Sequence, residues 1–249
     1  PGVNTTLKSA MILSPLALIL LYTKSMKIIG HRGAAGLAPE NTLSAITHGL
    51  QYRVDEIEVD VRVTKDDVPV LIHDDFLRSA GGDRLEVEVS TLKQLKELDG
   101  QIATLAEAIE LIDRRVTLFL DIKPDVYTQP ILNVLDQFFT KGWTADDFVI
   151  SSKDYFLLEA LHRAIPEVTK CVQEPWSSLR AVVRAKRVGT KRLSMNHKFL
   201  WSGFVKHMDR RGWLLSAYTV NDPRRVRTWK KHGLYGVFTD RPDLFSDIH

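Results

Sequence analysis

The 249-residue sequence contains a single cysteine, Cys171, so no intrachain disulfide and no cysteine-based zinc or iron–sulfur site can form. Its 14 glycines and 10 prolines follow no regular period, which excludes collagen-like and low-complexity chains. The absence of a P-loop and of a G-x-S-x-G motif argues against a Walker-type nucleotide hydrolase and a serine esterase. Hydrophobic residues make up 44% of the chain and charged residues 26%, as in soluble globular proteins. The fold must therefore be stabilised by a hydrophobic core.

The apolar run at residues 10–22 is too short to span a membrane comfortably. It has 13 residues, whereas a transmembrane helix needs about 20. Its length matches the hydrophobic region of a signal peptide, yet no small-x-small cleavage site follows it. We therefore separate residues 1–25, as an anchor, a signal remnant or a non-native extension, from a single domain at residues 26–249. We expect a cytoplasmic protein, with membrane association through residues 10–22 as the alternative.

Negative charge is scarce in the second half of the chain. Residues 126–249 contain 20 Lys and Arg against 12 Asp and Glu, whereas residues 1–125 contain 14 against 19. Within residues 178–232, 15 basic residues are opposed only by Asp209 and Asp222. These residues either form solvated helix faces or meet nucleic acid, anionic lipid or an anionic substrate. Because no nucleic-acid-binding motif accompanies them, we expect no nucleic-acid partner and keep an anionic membrane surface as a candidate.

From Met26 onward, short apolar runs alternate with longer amphipathic stretches. The predicted strands are Lys27–Gly30, Glu56–Val61, Thr117–Ile122, Phe148–Ser151, Val168–Val172, Arg192–Met195, Leu214–Tyr218 and Gly236–Thr239. Helices are predicted near residues 41–53, 104–114, 128–141, 154–164, 178–187, 198–211 and 222–232, with N-caps at Asn41, Thr104 and Asp222. Eight strands with a helix after nearly every one predict an α/β fold, the (β/α)8 TIM barrel.

Residues 62–103 interrupt this alternation. They contain an extra strand at Pro69–Ile72, a turn at Gly81-Gly82 and a short helix near residues 91–98. We predict that they form a small insertion after strand 2.

Acidic residues lie near the ends of two predicted strands. Glu58 and Asp60 are two positions apart, and side chains at i and i+2 of a strand point to the same face. Inside a barrel these carboxylates would repel each other unless a cation neutralised them. Together with Asp121 they form an oxygen-rich set that suits Mg²⁺ or Ca²⁺ better than zinc. The residues alone leave one alternative open, in which the pair lies on a solvated outer face.

Ionisable and basic residues lie near the ends of these and other predicted strands. His31 and His73 are candidates for proton transfer near neutral pH. The glycines that flank His31 and Arg32 allow the backbone to approach a ligand closely, and the guanidinium offers a planar group to phosphate oxygens. Lys123 adds a second positive charge. A divalent cation with Arg32 and Lys123 is what a phosphodiester needs as it gains negative charge in its transition state.

Several strings between residues 27 and 245 occur in the order that one enzyme family shows. They are Ile29-Gly30-His31-Arg32-Gly33, Ala38-Pro39-Glu40-Asn41-Thr42, Ile57-Glu58-Val59-Asp60-Val61, Thr64-Lys65-Asp66, Pro69-Val70-Leu71-Ile72-His73-Asp74-Asp75, Asp121-Ile122-Lys123, Thr219-Val220-Asn221-Asp222 and Thr239-Asp240-Arg241-Pro242. With these strings the chain resembles the glycerophosphodiester phosphodiesterase family.

The resemblance implies a TIM-barrel hydrolase of glycerol and lipid metabolism, which converts a glycerophosphodiester and water into sn-glycerol 3-phosphate and an alcohol. By position, it implies that a divalent cation, Mg²⁺ or Ca²⁺, binds to Glu58, Asp60 and Asp121. It further implies that His31 and His73 act as acid and base, and that Arg32 and Lys123 hold the substrate phosphate.

The chain departs from the family pattern at two positions. Many members have glutamate where this chain has Asp121, which shortens the carboxylate by one methylene and bears on metal preference. Many have tryptophan where this chain has Tyr218, which bears on the substrate cleft. Two other functions stay open, a lysophospholipase D on the same fold and a non-catalytic phosphate-binding module. The sequence also leaves the alcohol group, the metal and the oligomeric state open.

Overall fold

The computed structural model of the protein describes residues 26–78 and 81–247, which contain a closed barrel of eight parallel strands. The barrel strands are β1 (Lys27–Gly30), β2 (Glu56–Val63), β6 (Thr117–Ile122), β7 (Phe148–Ser152), β8 (Thr169–Gln173), β9 (Arg192–Asn196), β10 (Leu214–Tyr218) and β11 (Gly236–Thr239). Each pairs with the next in this order, and β11 pairs with β1. The predicted (β/α)8 TIM barrel is confirmed.

Helices cover the outside of the barrel and pack their apolar faces against the strands. They are α1 (Leu43–Gln51), α3 (Leu105–Ile112), α4 (Gln129–Thr140), α5 (Tyr155–Ala164), α6 (Ser178–Arg187), α7 (Ser202–Arg210) and α8 (Pro223–Lys231). Buried residues such as Ile109, Leu135 and Val226 face outward-pointing strand residues in one continuous apolar shell. This shell supplies the core that a chain without disulfides requires.

Three short strands and one helix lie between β2 and α3. They are β3 (Pro69–Leu71), β4 (Phe76–Arg78), β5 (Arg84–Glu86) and α2 (Leu92–Leu98). β3 pairs with β2 in the antiparallel direction, and β4 pairs with β5 in a separate hairpin. The extra strand and the short helix match the sequence prediction, whereas the hairpin was not predicted.

The first helix begins at a different residue from the predicted one. Thr42 is the N-cap of α1, and its hydroxyl accepts a hydrogen bond from the Ala45 backbone N–H at 3.2 Å. Asn41, the predicted cap, has a left-handed backbone with φ of +59° and directs its side chain toward Asp60 instead. The prediction of Asn41 as N-cap is therefore wrong, while the predicted caps Thr104 and Asp222 are confirmed.

The helix predicted at residues 198–211 is shorter than expected. A 3₁₀ turn at His197–Phe199 precedes it, and α7 begins only at Ser202. Asn196 caps the 3₁₀ turn by accepting a hydrogen bond from the Lys198 backbone N–H at 3.0 Å. This separate capped turn divides the predicted helix.

Strand residues alternate between the outer shell and the barrel interior. On β2, Ile57 and Val59 belong to the outer shell, so Glu56, Glu58 and Asp60 point inward. The middle of the interior is apolar and consists of Ile29, Phe119, Val149, Cys171 and Phe238. This plug separates two polar layers, one at each end of the strands.

The polar layer at the amino ends of the strands is an ion pair. Arg192 bonds to Glu56, which also accepts a hydrogen bond from the Tyr235 hydroxyl at 3.2 Å. The guanidinium lies 5.1 Å from the centroid of the Tyr235 ring. Because the charges of Arg192 and Glu56 are paired with each other, this layer forms the closed end of the barrel interior. The second polar layer, at the carboxyl ends, is open.

The predicted N-terminal apolar segment at residues 1–25 lies outside the described residues. Within residues 26–78 and 81–247, every helix falls short of the length and apolar character that crossing a membrane requires.

Candidate active site

The turn after β1 depends on two glycines. Gly33 has a left-handed backbone with φ of +86°, and a Cβ there would lie 2.6 Å from the carbonyl carbon of Ala45. A Cβ on Gly30 would collide with the carbonyl oxygen of Gly33. Only glycine permits this close approach to α1. The turn points the backbone N–H of Arg32 at Glu58 Oε2, 2.8 Å away.

Glu58, Asp60 and Asp121 form the acidic centre at the open end of the barrel. Their residues are at most 4% exposed, and Asp60 lies opposite Asp121 in the paired strands β2 and β6. One oxygen atom from each carboxylate lies within 4.8 Å of the others. The inward orientation excludes the alternative of a solvated outer face. An all-oxygen set of this kind could hold a divalent metal ion.

Two cations balance the acidic centre in part. Lys123 Nζ forms ion pairs with Asp60 and with Asp121, the second at 2.7 Å. Arg32 Nε lies 3.2 Å from Asp60 Oδ2, while Arg32 Nη1 donates to both carboxylate oxygens of Glu40 at 2.7 Å. Three buried carboxylates thus face two cations, one of which is shared with a fourth carboxylate.

The excess negative charge changes the proton affinity of the carboxylates. Burial and the neighbouring charge of Asp60 raise the pKa of Glu58 to about 8. Burial acts on Asp60 in the same direction, but the positive charges of Lys123 and Arg32 outweigh it and hold the pKa of Asp60 at about 2. Burial also raises the pKa of Asp121, against the charge of Lys123. Glu58 therefore binds a proton more tightly than a solvated glutamate does, and a cation would compete with that proton.

Neutral side chains position two of the carboxylates. Asp121 Oδ1 accepts hydrogen bonds from Ser151 Oγ at 3.0 Å and from Gln173 Nε2 at 2.8 Å. Asn41 Nδ2 donates to Asp60 Oδ2 at 2.8 Å, and Asn41 Oδ1 accepts from the Asp60 backbone N–H at 3.0 Å. Because these partners are buried, they restrict how the carboxylates can rotate.

His31 follows β1 and is held by Asp240, which follows β11. His31 Nδ1 lies 2.6 Å from Asp240 Oδ1, while Asp240 Oδ2 accepts a hydrogen bond from Asn221 Nδ2 at 2.8 Å. Burial lowers the proton affinity of His31, but the hydrogen bond to Asp240 and the charge of Glu58 outweigh it and raise the pKa of His31. With Nδ1 engaged, Nε2 is the nitrogen left for proton exchange.

His73 follows β3 and is more exposed than His31. Its Nδ1 lies 2.7 Å from Asp74 Oδ1, and its side chain is 32% exposed against 20% for His31. Its second nitrogen, Nε2, is likewise left for a ligand.

One cleft brings together every residue that the sequence predicts for the site. Its lining includes His31, Arg32, Glu58, Asp60, His73, Asp121 and Lys123. The lining also includes Tyr218, which the sequence linked to the substrate cleft, and four residues to which the sequence assigned no role, Lys153, Gln173, Thr219 and Phe238. The cleft offers clustered carboxylates, two cations and two imidazoles, a set suited to phosphoryl chemistry.

Asp240 and Asn41 are the residues that sequence reasoning missed most clearly. Asp240 belongs to one of the strings that carry the family resemblance, but nothing in the sequence links it to His31. Asn41 was predicted to cap a helix, although an amide beside an acidic strand could also have suggested a carboxylate partner.

A sequence profile of the glycerophosphoryl diester phosphodiesterase family matches residues 31–244, a range that contains the whole cleft. The chain belongs to this family. It is therefore a phosphoric diester hydrolase, and the alternative of a non-catalytic binding module is wrong.

The alignments with similar proteins include most of this chain. The glycerophosphodiester phosphodiesterase of Bacillus altitudinis is 28% identical, in an alignment that covers 87% of this chain and 95% of that protein. One from Arabidopsis thaliana is 27% identical, in an alignment that covers 89% of this chain and 72% of the other. Among solved structures, an Oleispira antarctica phosphodiesterase in complex with the product sn-glycerol-3-phosphate is 28% identical, with a TM-score of 0.80. That match covers 91% of this chain and 98% of the Oleispira chain.

Proposed function

We propose that the protein hydrolyses glycerophosphodiesters to sn-glycerol 3-phosphate and an alcohol, with Mg²⁺ or Ca²⁺ held by Glu58, Asp60 and Asp121. The observation that carries this proposal is the shared cleft, which joins the acidic centre to His31 and His73. Membership of the family supports it, as does the product bound to the Oleispira antarctica phosphodiesterase.

The donor set fits a divalent cation because it carries more negative charge than its neighbours neutralise. The raised pKa of Glu58 reflects that excess. A bound cation would supply positive charge to the phosphate oxygens as negative charge develops on them. Arg32 and Lys123 line the same cleft and add to this charge, although each is also paired with Asp60.

We assign the proton transfers to the two histidines. His31 is held in one orientation by Asp240, and the hydrogen bond to Asp240 contributes to raising the pKa of His31. This suits it to give a proton to the departing alcohol, while His73 takes a proton from the attacking group. The phosphorus–oxygen bond to the alcohol breaks as the new phosphorus–oxygen bond forms.

The attacking group in our proposal is the 2-hydroxyl of the glycerol moiety. Its attack gives a cyclic phosphate, which water then opens with the histidine roles reversed. Because the hydroxyl is already positioned, intramolecular attack can gain several kcal/mol over attack by free water. A substrate that lacks the 2-hydroxyl should bind but barely react, so that kcat falls far more than KM changes.

A lysophospholipase D is the second candidate function. The observation that favours it is a set of exposed aromatic side chains in the segments that follow the barrel strands, among them Trp176 and Trp201. A substrate with a long acyl chain would find an apolar surface there.

The deciding experiment supplies glycerophosphocholine and lysophosphatidylcholine separately, with Mg²⁺ or Ca²⁺, and identifies the products by phosphorus NMR. We expect sn-glycerol 3-phosphate from glycerophosphocholine and little reaction of lysophosphatidylcholine. Preferential release of lysophosphatidic acid would support the second candidate. Equal turnover of natural and 2-deoxy diesters would exclude the cyclic route and leave water as the nucleophile.

The division between residues 1–25 and 26–249 and the cytoplasmic location stay predictions. Met26 is only 1% exposed and belongs to the outer apolar shell, which supports a domain that begins there.

A further inference from the structure

Exposed apolar side chains are concentrated on one side of the barrel mouth. Of ten large apolar residues exposed in the described part of the chain, seven lie in the four consecutive segments that follow β6, β7, β8 and β9. Val183 lies in the second turn of α6, and the other six lie in loops, in a 3₁₀ turn or in the first turn of a helix. These six residues, which we call the apolar rim, are Tyr127, Phe156, Trp176, Leu179, Phe199 and Trp201, with exposures between 41% and 77%. Because carboxyl ends of parallel strands meet at one end of a barrel, the six surround the same half of the mouth.

Contacts join neighbouring segments of the apolar rim. The rings of Trp176 and Phe199 lie 5.6 Å apart between centroids, which connects the segments after β8 and β9. Phe156 and Leu179 line a common groove of about 640 Å³, which connects the segments after β7 and β8. The rim is therefore a connected surface, at least from Phe156 to Phe199.

Positive charge borders the same surface. Three arginines of helix α6, Arg180, Arg184 and Arg187, line the groove with Phe156 and Leu179, and the helix contains no acidic residue. Glu174 neutralises part of this charge through ion pairs with Arg180 and Arg184.

Further charges stand on the neighbouring segments. Lys153 and Lys198 are exposed after β7 and β9. The acidic residues nearby are Asp125, which is exposed, and Asp154, whose carboxylate caps α5. The border of the rim keeps an excess of positive charge.

We propose that the apolar rim docks on a lipid bilayer that carries anionic headgroups. Large apolar patches rarely remain exposed to water without a partner. Tryptophan, tyrosine and phenylalanine beside arginine and lysine form the combination that binds at a bilayer interface, where rings enter the headgroup region and cations meet lipid phosphates.

The cleft opens on the same side. Lys153 lines both the cleft and the groove between Phe156 and Leu179, so docking would bring the cleft mouth to the bilayer. The proposal concerns binding alone and does not depend on the chemistry proposed above.

A polarity-sensitive fluorophore on an introduced cysteine tests which face meets the lipid. The natural Cys171 is fully buried, and burial raises its pKa to about 12, so it will not compete for the label. In the full chain we would label Leu179→Cys on the rim and, as the control, Tyr52→Cys, a position 42% exposed at the opposite end of the barrel.

With vesicles of phosphatidylglycerol and phosphatidylcholine, we expect a blue shift of the label at position 179 and none at position 52. The comparison holds even if residues 10–22 also attach to the vesicles, because both variants contain them. No shift at position 179, or equal shifts at both positions, would overturn the proposal. An unshifted rim label is also the result expected if the rim serves a protein partner.

Vesicle sedimentation supplies a second readout. Replacing two rim aromatics, in Trp176→Ser/Phe199→Ser, should lower partitioning onto the mixed vesicles by about tenfold or more, since each ring loses its apolar burial. Tyr52→Ser should leave partitioning unchanged. Pure phosphatidylcholine should bind the unaltered protein more weakly. Unchanged partitioning of the double variant would contradict the proposal.

Discussion

His31 and His73 face one cleft from two different strands, and each has its Nδ1 beside a carboxylate. Replacing either by alanine should lower kcat by about 10²–10⁴, the usual range for loss of a general acid or base. Steady-state kinetics with glycerophosphocholine measure this. The double variant should lose less than the product of the two effects, because the two groups act in one step. Near-normal kcat in either single variant would leave that histidine without a catalytic role.

Asp240 acts on the reaction through His31. Its hydrogen bond is among the contributions that raise the pKa of His31, so Asp240→Asn should lower that pKa while the fold stays intact. An NMR titration of the His31 imidazole, with the metal-loaded protein, measures the shift. The alkaline limb of the pH–rate profile should move to lower pH with it if His31 acts as the acid. An unchanged titration would show that Asp240 only fills space.

Site residues could be predicted from the sequence where they belong to a short motif of neighbouring residues. Gly30-His31-Arg32-Gly33 and Glu58-x-Asp60 are each contained within a few positions. The pairing of His31 with Asp240 joins residues 209 positions apart, and only closure of the barrel between β1 and β11 brings them together. No local spacing can predict such a contact.

At the scale of one helix, two adjacent residues at the start of α1 have different roles: Thr42 stabilises the helix, and Asn41 positions Asp60. Thr42→Ala removes the cap on the Ala45 N–H and should cost about 1 kcal/mol of unfolding free energy, with little change in kcat. Asn41→Gly keeps the left-handed backbone but removes both hydrogen bonds to Asp60. It should weaken metal binding more than it lowers stability.

Chemical denaturation and calorimetric titration with Mg²⁺ measure the two effects on the same pair of variants. If Thr42→Ala impaired metal binding as strongly as Asn41→Gly, the division of roles between the two residues would be wrong.

Strand β2 places Glu58 and Asp60 on one face, where the charge of Asp60 helps to raise the pKa of Glu58. The free energy of unfolding therefore depends on pH. Because the pKa of Glu58 is raised from 4.5 to about 8, the folded metal-free protein holds a proton that the unfolded chain releases. The free energy of unfolding of the metal-free protein therefore falls as pH rises from about 4.5 to 8, because of Glu58, by at most about 1.4 kcal/mol per pH unit. A bound cation replaces the proton and removes this decrease.

The difference in Tm between metal-loaded and chelated protein should therefore grow with pH across that window. Glu58→Gln cannot ionise and should abolish the growth. A constant difference between pH 5 and 8 in the unaltered protein would contradict the raised pKa.

Elements were predicted best where the hydrophobic pattern is long and regular. All eight barrel strands were expected within two residues of their bounds, because buried parallel strands are nearly continuous apolar runs. The hairpin of β4 and β5 was missed because each strand has three residues and is partly exposed, so no clear pattern marks it. Its pairing depends on neighbouring structure rather than on its own sequence.

At the scale of the whole molecule, closure of the barrel turns scattered strand ends into one site. The sequence predicts the closed fold because strands and helices alternate, and that fold brings the ends of β1, β2 and β6 together. Which carboxylate carries the extra proton could not be predicted, since it depends on the placement of Lys123 and Arg32 beside Asp60.

Cleavage of a glycerophosphodiester should require a cation in the acidic centre. Phosphorus NMR of glycerophosphocholine turnover tests this requirement directly, before exhaustive chelation, after it, and after Mg²⁺ or Ca²⁺ is returned. We expect the diester signal to stop converting to the monoester in chelator and to convert again once the metal is returned. Undiminished conversion by fully chelated protein would contradict this expectation.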